Sequence, residues 1–243
     1  LRERTQTQLK DLVTNAPAGS KYGALYASFM DEAQLEKVGI APLMKDIAAI
    51  KAISSKAAFA RQMGTTNGRF GSSLMDYGVG ADTANPNLNV LYIGQSGLGL
   101  PEREYYFDKQ FDKQRTAYRA YIERTMKTLG YADPKAAADA IFTFETNIAY
   151  KSWKIADRRD IDKVNNPMST VQLMAYAPGF DWAAFFAGAK IPAQKRLIVG
   201  ENTAVKAIAA LYAETPLETL KLWQAFHTAD QASGYLNKAM VDS

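Results

Sequence analysis

Apolar side chains recur at three- and four-residue steps along most of this chain, and one glycine-rich stretch interrupts them. Within residues 21–38 the stripe is Tyr22, Leu25, Tyr26, Phe29, Met30 and Ala33. That spacing gathers side chains on one face of a helix and is incompatible with the two-residue alternation of a half-buried strand. Gly39 follows as a C-terminal stop, and Pro42 opens another helix to about Ile53. Residues 2–13 form a short amphipathic helix, broken by the Pro and Gly within 15–19. Residues 55–63 read as one more, with Ser55 as its cap.

The interruption lies between Gly64 and Pro101, which holds eight of the 16 glycines. Asp76–Ala81 and Leu88–Ile93 are short β-compatible runs, and the segment between them contains Asn85-Pro86-Asn87. We read a β-hairpin with a loop longer than two residues. Helix resumes over 108–129, with Phe111, Tyr118, Tyr121, Ile122, Met126 and Leu129 in phase, and Gly130 ends it. Asp133 and Pro134 then supply the cap and first turn of a helix carried to about Ala156. Helical pieces are expected at 169–176 and 181–187, a strand at 196–199, and helices at 201–213 and 216–233. The expected fold is mainly α, a multi-helix bundle-like lobe with one small β-hairpin, read as a single helical domain over residues 1–243.

Chemistry is limited by what the chain lacks. It has one histidine, His227, and no cysteine. A two-histidine zinc site, H-E-x-x-H included, is therefore excluded, as are thiolate metal sites, disulfides and cysteine nucleophiles. A serine triad would have to use His227, which we read as a partly buried or surface helix residue; Ser96 has the wrong glycine spacing for a nucleophile elbow. Gly94, Gly97 and Gly99 match neither the P-loop nor the dinucleotide fingerprint and read as a tight loop. Asp108 and Asp112 are the candidates for an all-carboxylate cation site, against the plainer reading of a solvated pair. Glu102 and Glu104 around Arg103, and Asp157, Asp160 and Asp162 among Arg158 and Arg159, read as ion-pair networks pinning helix ends. Arg103 is expected to pair with a nearby carboxylate. With 29 basic and 25 acidic residues and no basic block, nucleic-acid binding has no support. No apolar run is long enough to span a bilayer. A start at Leu1 followed by Arg2-Glu3-Arg4 is read as a processed protein or an excised piece.

Four segments resemble one family, in that family's order. Gly97 followed by Leu98-Gly-Leu-Pro-Glu-Arg-Glu-Tyr-Tyr106 resembles the G-L-G-L-P-x-R-D/E-Y-Y signature of the neprilysin-like metallopeptidases, the neprilysin and endothelin-converting-enzyme family. Tyr26-Ala-Ser-Phe-Met-Asp-Glu32 is similar to its Y-x-S-x-M-D/N-E helix. Arg158-Arg-Asp160 with Asn166-Pro-Met168 resembles its R-x-D and N-P-M stretch. Pro178-Gly-Phe-Asp-Trp182 resembles a short element of the bacterial branch.

The resemblance implies a zinc endopeptidase of two mostly helical lobes around a cavity, of which this chain supplies the front, capping portion. It implies zinc in the parent enzyme and no cofactor here. It implies the catalytic lobe of the same protein as partner, peptides as substrates, and a periplasmic, extracellular or membrane-anchored location. No catalytic or metal residue is assigned in this chain. Gly97, Gly99, Pro101, Arg103, Tyr105, Tyr106, Arg159, Asp160, Asn166, Pro167 and Met168 are expected to be structural, and Gly97 or Gly99 to hold a backbone shape closed to other residues. An exposed apolar patch and self-association through it are expected. The alternative is a stand-alone helical module that binds peptides without cutting them.

Overall fold

The computed structural model describes residues 2–242, and the helices begin where the sequence supplies caps. The described residues form two compact units, one of residues 2–44 with 232–242 and one of residues 45–231.

The smaller unit opens with α1 (Arg2–Thr14), α2 (Lys21–Phe29) and α3 (Glu32–Val38) and closes with a short C-terminal helix. The expected 21–38 helix is two helices. Asp31 accepts a hydrogen bond from the Gln34 N–H at 3.0 Å, and this cap starts α3 afresh. None of α1 to α3 buries a residue. Tyr22, Leu25, Phe29 and Met30 are all exposed, so the apolar stripe read at 21–38 does not face a core among the described residues.

α4 (Ala41–Lys51) spans the division, and the larger unit continues with α5 (Lys56–Gly64), capped by Ser55 as expected. The hairpin follows: β1 (Met75–Ala81) pairs antiparallel with β2 (Asn89–Gln95). Beyond it come α6 (Asp112–Thr128), α7 (Pro134–Lys151), α8 (Ile155–Arg158), β3 (Asn166–Met168), α9 (Thr170–Tyr176), α10 (Trp182–Ala189), β4 (Leu197–Val199), α11 (Asn202–Glu214) and α12 (Leu217–Ala232). The hairpin is half of a four-stranded sheet of order β1-β2-β4-β3, with β2 parallel and β3 antiparallel to β4.

α7 stops at Lys151, a turn earlier than its pattern predicts. The Gln95 side chain accepts from the Trp153 N–H at 2.7 Å and donates to the Trp153 carbonyl at 3.4 Å, holding the chain extended where the helix would continue. Phe59, Phe180, Trp182, Phe185 and Tyr212 form an aromatic core between α5, α10 and α11. Among the described residues no helix is long and apolar enough to cross a membrane.

Candidate functional site

The glycine–tyrosine segment leaves β2 at Gln95, turns through Gly97–Glu102 and enters a 3-10 turn at Arg103–Tyr106. Gly97 sits at φ +103°, a region that side chains with a Cβ rarely adopt. A Cβ there would meet Leu74 at 2.9 Å and Ile148 at 3.3 Å. Gly99 is constrained by space instead: a Cβ would overlap the Tyr118 hydroxyl and approach the His227 ring at 3.1 Å.

Tyr106 closes this loop from inside. Its hydroxyl accepts from the N–H groups of Gly99 at 3.0 Å and Leu100 at 2.9 Å, and donates to Glu145 Oε2 at 2.7 Å. Glu145 on α7 is fully buried and is also reached by the Tyr118 hydroxyl at 2.9 Å and His227 Nε2 at 2.7 Å. Three side chains from three elements thus converge on one carboxylate, as a buried charged or polar group requires. Burial first, and the Glu145 carboxylate second, push the phenols of Tyr106 and Tyr118 well above the ordinary tyrosine value. Both remain protonated donors. Trp223 packs on His227 with ring centroids 5.0 Å apart and donates to the Gly97 carbonyl at 3.3 Å.

Arg103 does not find a carboxylate. Its Nε donates to the Ala149 carbonyl at 2.9 Å, and its guanidinium lies 5.2 Å from the centre of the Phe107 ring. At the end of α7 the Ala149 carbonyl keeps only a long bond from the Ser152 N–H, at 3.3 Å, and the guanidinium gives it a second, shorter one. Tyr105 stacks on Phe111 at 3.9 Å, and Pro101 lines a small cleft with Ser96, Leu98 and Arg158. That cleft encloses about 170 Å³, below the roughly 300–1,000 Å³ of small-molecule pockets.

The downstream motif is a second anchor. Asn166 Nδ2 donates to the carbonyls of Lys163, Val199 and Gly200, and its Oδ1 accepts from Asn202. Pro167 and Met168 complete β3 against Ile198 and Leu197. Asp160 accepts from the N–H groups of Asp162 and Lys163. Arg159 is exposed past α8; its neighbour Arg158 makes the ion pair, to Glu201 at 2.8 Å. Glu201 also accepts the Gln95 N–H at 3.0 Å, which ties this segment to the start of the glycine loop.

Glu145, Tyr118, Trp223 and His227 were not singled out as a group in the sequence, and His227 is buried, not at the surface. A signal existed: Glu145 falls on the inward stripe of α7 with Ile141 and Ile148, and His227 beside Trp223 and Phe226 on α12. Asp108 caps its own 3-10 turn and Asp112 pairs with Arg115, so the two carboxylates do not form a shared site. Among the described residues no group of three or more His, Cys, Asp or Glu is placed to hold a metal ion. The cluster on Glu145 is saturated and enclosed. Its hydrogen bonds tie the glycine loop to α6, α7 and α12.

The chain is similar to known proteins over its full length. The model of the N-terminal part of Peptidase family M13 matches residues 1–243. Endothelin-converting enzyme 1 of Mus musculus is 27% identical over 261 residues, covering 99% of this chain and 34% of the relative; the Homo sapiens enzyme gives the same values. The Mycobacterium tuberculosis zinc metalloprotease Zmp1, solved with an inhibitor, superposes with TM-score 0.92 at 28% identity, covering 99% of this chain and 38% of that one. PepO of Lactobacillus rhamnosis HN001, at 19% identity and TM-score 0.77, shares the fold, covering 99% of this chain and 40% of that one. The chain spans about a third of the length of the curated relatives it matches. Its landmarks, fold and full-length match converge, and the chain belongs to Peptidase family M13, the neprilysin-like metallopeptidases, as their N-terminal portion.

Proposed function

We propose that this chain is the capping portion of a zinc-dependent endopeptidase, shaping access to a catalytic site that the rest of a longer polypeptide supplies, and that it is inactive alone. The observation that carries this reading is the state of His227. It is the only histidine, it is buried, and its Nε2 is held 2.7 Å from Glu145. Hydrolytic zinc needs three protein ligands and an open position, and this chain has one imidazole already engaged. The exposed stripe of α1 to α3 supports a partner within the same polypeptide. Isolated helices of seven to 13 residues that bury nothing are marginal in water, so their apolar faces call for a packing surface. A capping role needs shape and rigidity, which the Glu145 cluster and the four-stranded sheet provide. Substrates would be peptides and unfolded segments small enough to enter.

The test compares this chain with a longer form that includes an H-E-x-x-H segment, on a fluorogenic peptide with and without chelator. The expected result is cleavage by the longer form only, abolished by chelator, and loss of cleavage when the same peptide is embedded in a folded protein. Chelator-sensitive cleavage by this chain alone would sink the proposal. Tight peptide binding, with no cleavage by any longer form, would favour the stand-alone binding module.

A further inference from the structure

We propose that the outer edge of β1 pairs with a second copy of this chain, antiparallel about Val79. The sheet has two edges and they are built differently. β3 is three residues long and carries Pro167, which has no N–H to offer. β1 is seven residues long, with no proline and no lysine. An unprotected edge of this kind is a template for another strand.

The phase of the β1–β2 ladder identifies the groups that face outward. The Ser96 N–H donates to the Leu74 carbonyl at 3.1 Å, and the Asp82 N–H to the Leu88 carbonyl at 2.9 Å. In the register Met75↔Gln95 to Ala81↔Asn89, these bonds place Asp76, Gly78 and Gly80 in hydrogen-bonded pairs with β2. Met75, Tyr77, Val79 and Ala81 therefore turn their N–H and C=O groups away from β2. Several of these groups are already used. The Ser73 hydroxyl bonds both the N–H and the carbonyl of Met75, at 3.2 and 2.8 Å. The Tyr77 N–H donates to Asp76 Oδ1 at 2.9 Å, and the Ala81 carbonyl accepts the Tyr92 hydroxyl at 2.7 Å. What remains is the Tyr77 carbonyl, both groups of Val79 and the Ala81 N–H.

This remainder is self-complementary. A two-fold axis at Val79 sets Val79 opposite Val79 of the second copy, and Tyr77 opposite its Ala81. Each Val79 N–H then meets the other Val79 carbonyl, and each Ala81 N–H meets a Tyr77 carbonyl. The two groups of the Tyr77–Ala81 pair that such a dimer would leave unused are the two already capped within the chain. An isologous interface has this property, since the same patch must serve both sides. Val79 is 74% exposed, so access is open. Asp76 comes opposite Asp82, whose charge is met by Arg196 at 2.6 Å. Two short strands cover less than the roughly 1,200 Å² at the low end of a standard interface, so the association is weak and depends on concentration.

The experiment is sedimentation equilibrium of the protein and of Val79→Pro and Val79→Lys across a wide concentration range. Val79→Pro removes an N–H that β2 does not use, so the fold keeps its ladder, while two of the four intermolecular bonds disappear. The association constant should fall roughly thirtyfold, and Val79→Lys, a charged edge residue, should weaken it as well. Because the chain has no cysteine, a nitroxide on Ala81→Cys reports register: the two labelled positions lie about 14 Å apart along antiparallel strands centred on Val79. A monomer at every concentration would overturn the proposal. So would a dimer that both Val79 variants leave intact, or one whose labels show no dipolar coupling.

Discussion

Tyr106→Phe removes one oxygen from the larger unit, and the structure predicts a large cost. The hydroxyl makes three hydrogen bonds, accepting from Gly99 and Leu100 and donating to Glu145. A hydrogen bond to a carboxylate contributes about 1.5–3 kcal/mol, and each N–H left unsatisfied in a part-buried loop costs about 1 kcal/mol or more. The total is about 3–5 kcal/mol, because the Glu145 carboxylate that loses a donor is fully buried. At about 2–4 °C per kcal/mol for a unit of this size, Tm should fall by roughly 10 °C. The neighbouring residue is the control. Tyr105 contributes a ring stacked on Phe111 at 3.9 Å, and Tyr105→Phe keeps that ring, so its Tm should stay within about 2 °C. Circular dichroism melts of both variants and urea titrations settle the difference. Equal melts for the two variants, or an unchanged Tyr106→Phe, would refute the claim that the hydroxyl locks the glycine loop.

Three further outcomes are expected. Gly99→Ala should cost about 2–4 kcal/mol in urea unfolding, since its Cβ overlaps the Tyr118 hydroxyl, while Gly78→Ala, with nothing within 4 Å, should change stability by less than about 1 kcal/mol. Asn166→Ala should cost about 2–4 kcal/mol, because four hydrogen bonds around β3 disappear together; a loss below about 0.5 kcal/mol would contradict the anchor. The Arg196 side chain, helped by the Ala84 N–H, holds the Asp82 carboxyl at about 2, below its ordinary 3.8. A depressed folded value means that the pair stabilises the fold above pH 4 and that this contribution is lost as pH falls from about 4 through 2. Arg196→Met should flatten the stability profile in that window, and an unchanged acid limb in thermal melts would count against the assignment.

Legibility in the sequence followed how local each cause is. Ser55, Asp133 and Pro134 act on the turn next to them, and α5 and α7 begin where those residues place them. The hairpin was readable because β1 and β2 pair across a short connection, whereas β3 was missed because three residues with a proline carry no period. The end of α7 was misplaced since its cause, the Gln95 side chain, lies 58 residues away in sequence. Arg103 is expected to seek a carboxylate; the acceptor it meets is the carbonyl of Ala149, which at that same early helix end holds only the Ser152 N–H at 3.3 Å.

The glycine–tyrosine segment shows how a motif can be recognisable through packing and polarity alone. Gly97 is fixed by backbone angle, Gly99 by the Tyr118 hydroxyl, Tyr106 by two N–H groups and Glu145, and Arg103 by a helix end. Each residue has a separate physical constraint within ten positions, so the segment tolerates little substitution for reasons of packing and polarity alone. The partners of those constraints, Tyr118, Glu145, Trp223 and His227, are spread over about a hundred residues and carry no local signature. A buried carboxylate in an apolar helix stripe was the one readable trace of them. Such a residue must have partners, and the only histidine of the chain, on another apolar stripe, was the natural candidate. That pairing places the histidine in the architecture of the larger unit, between α7 and the glycine loop.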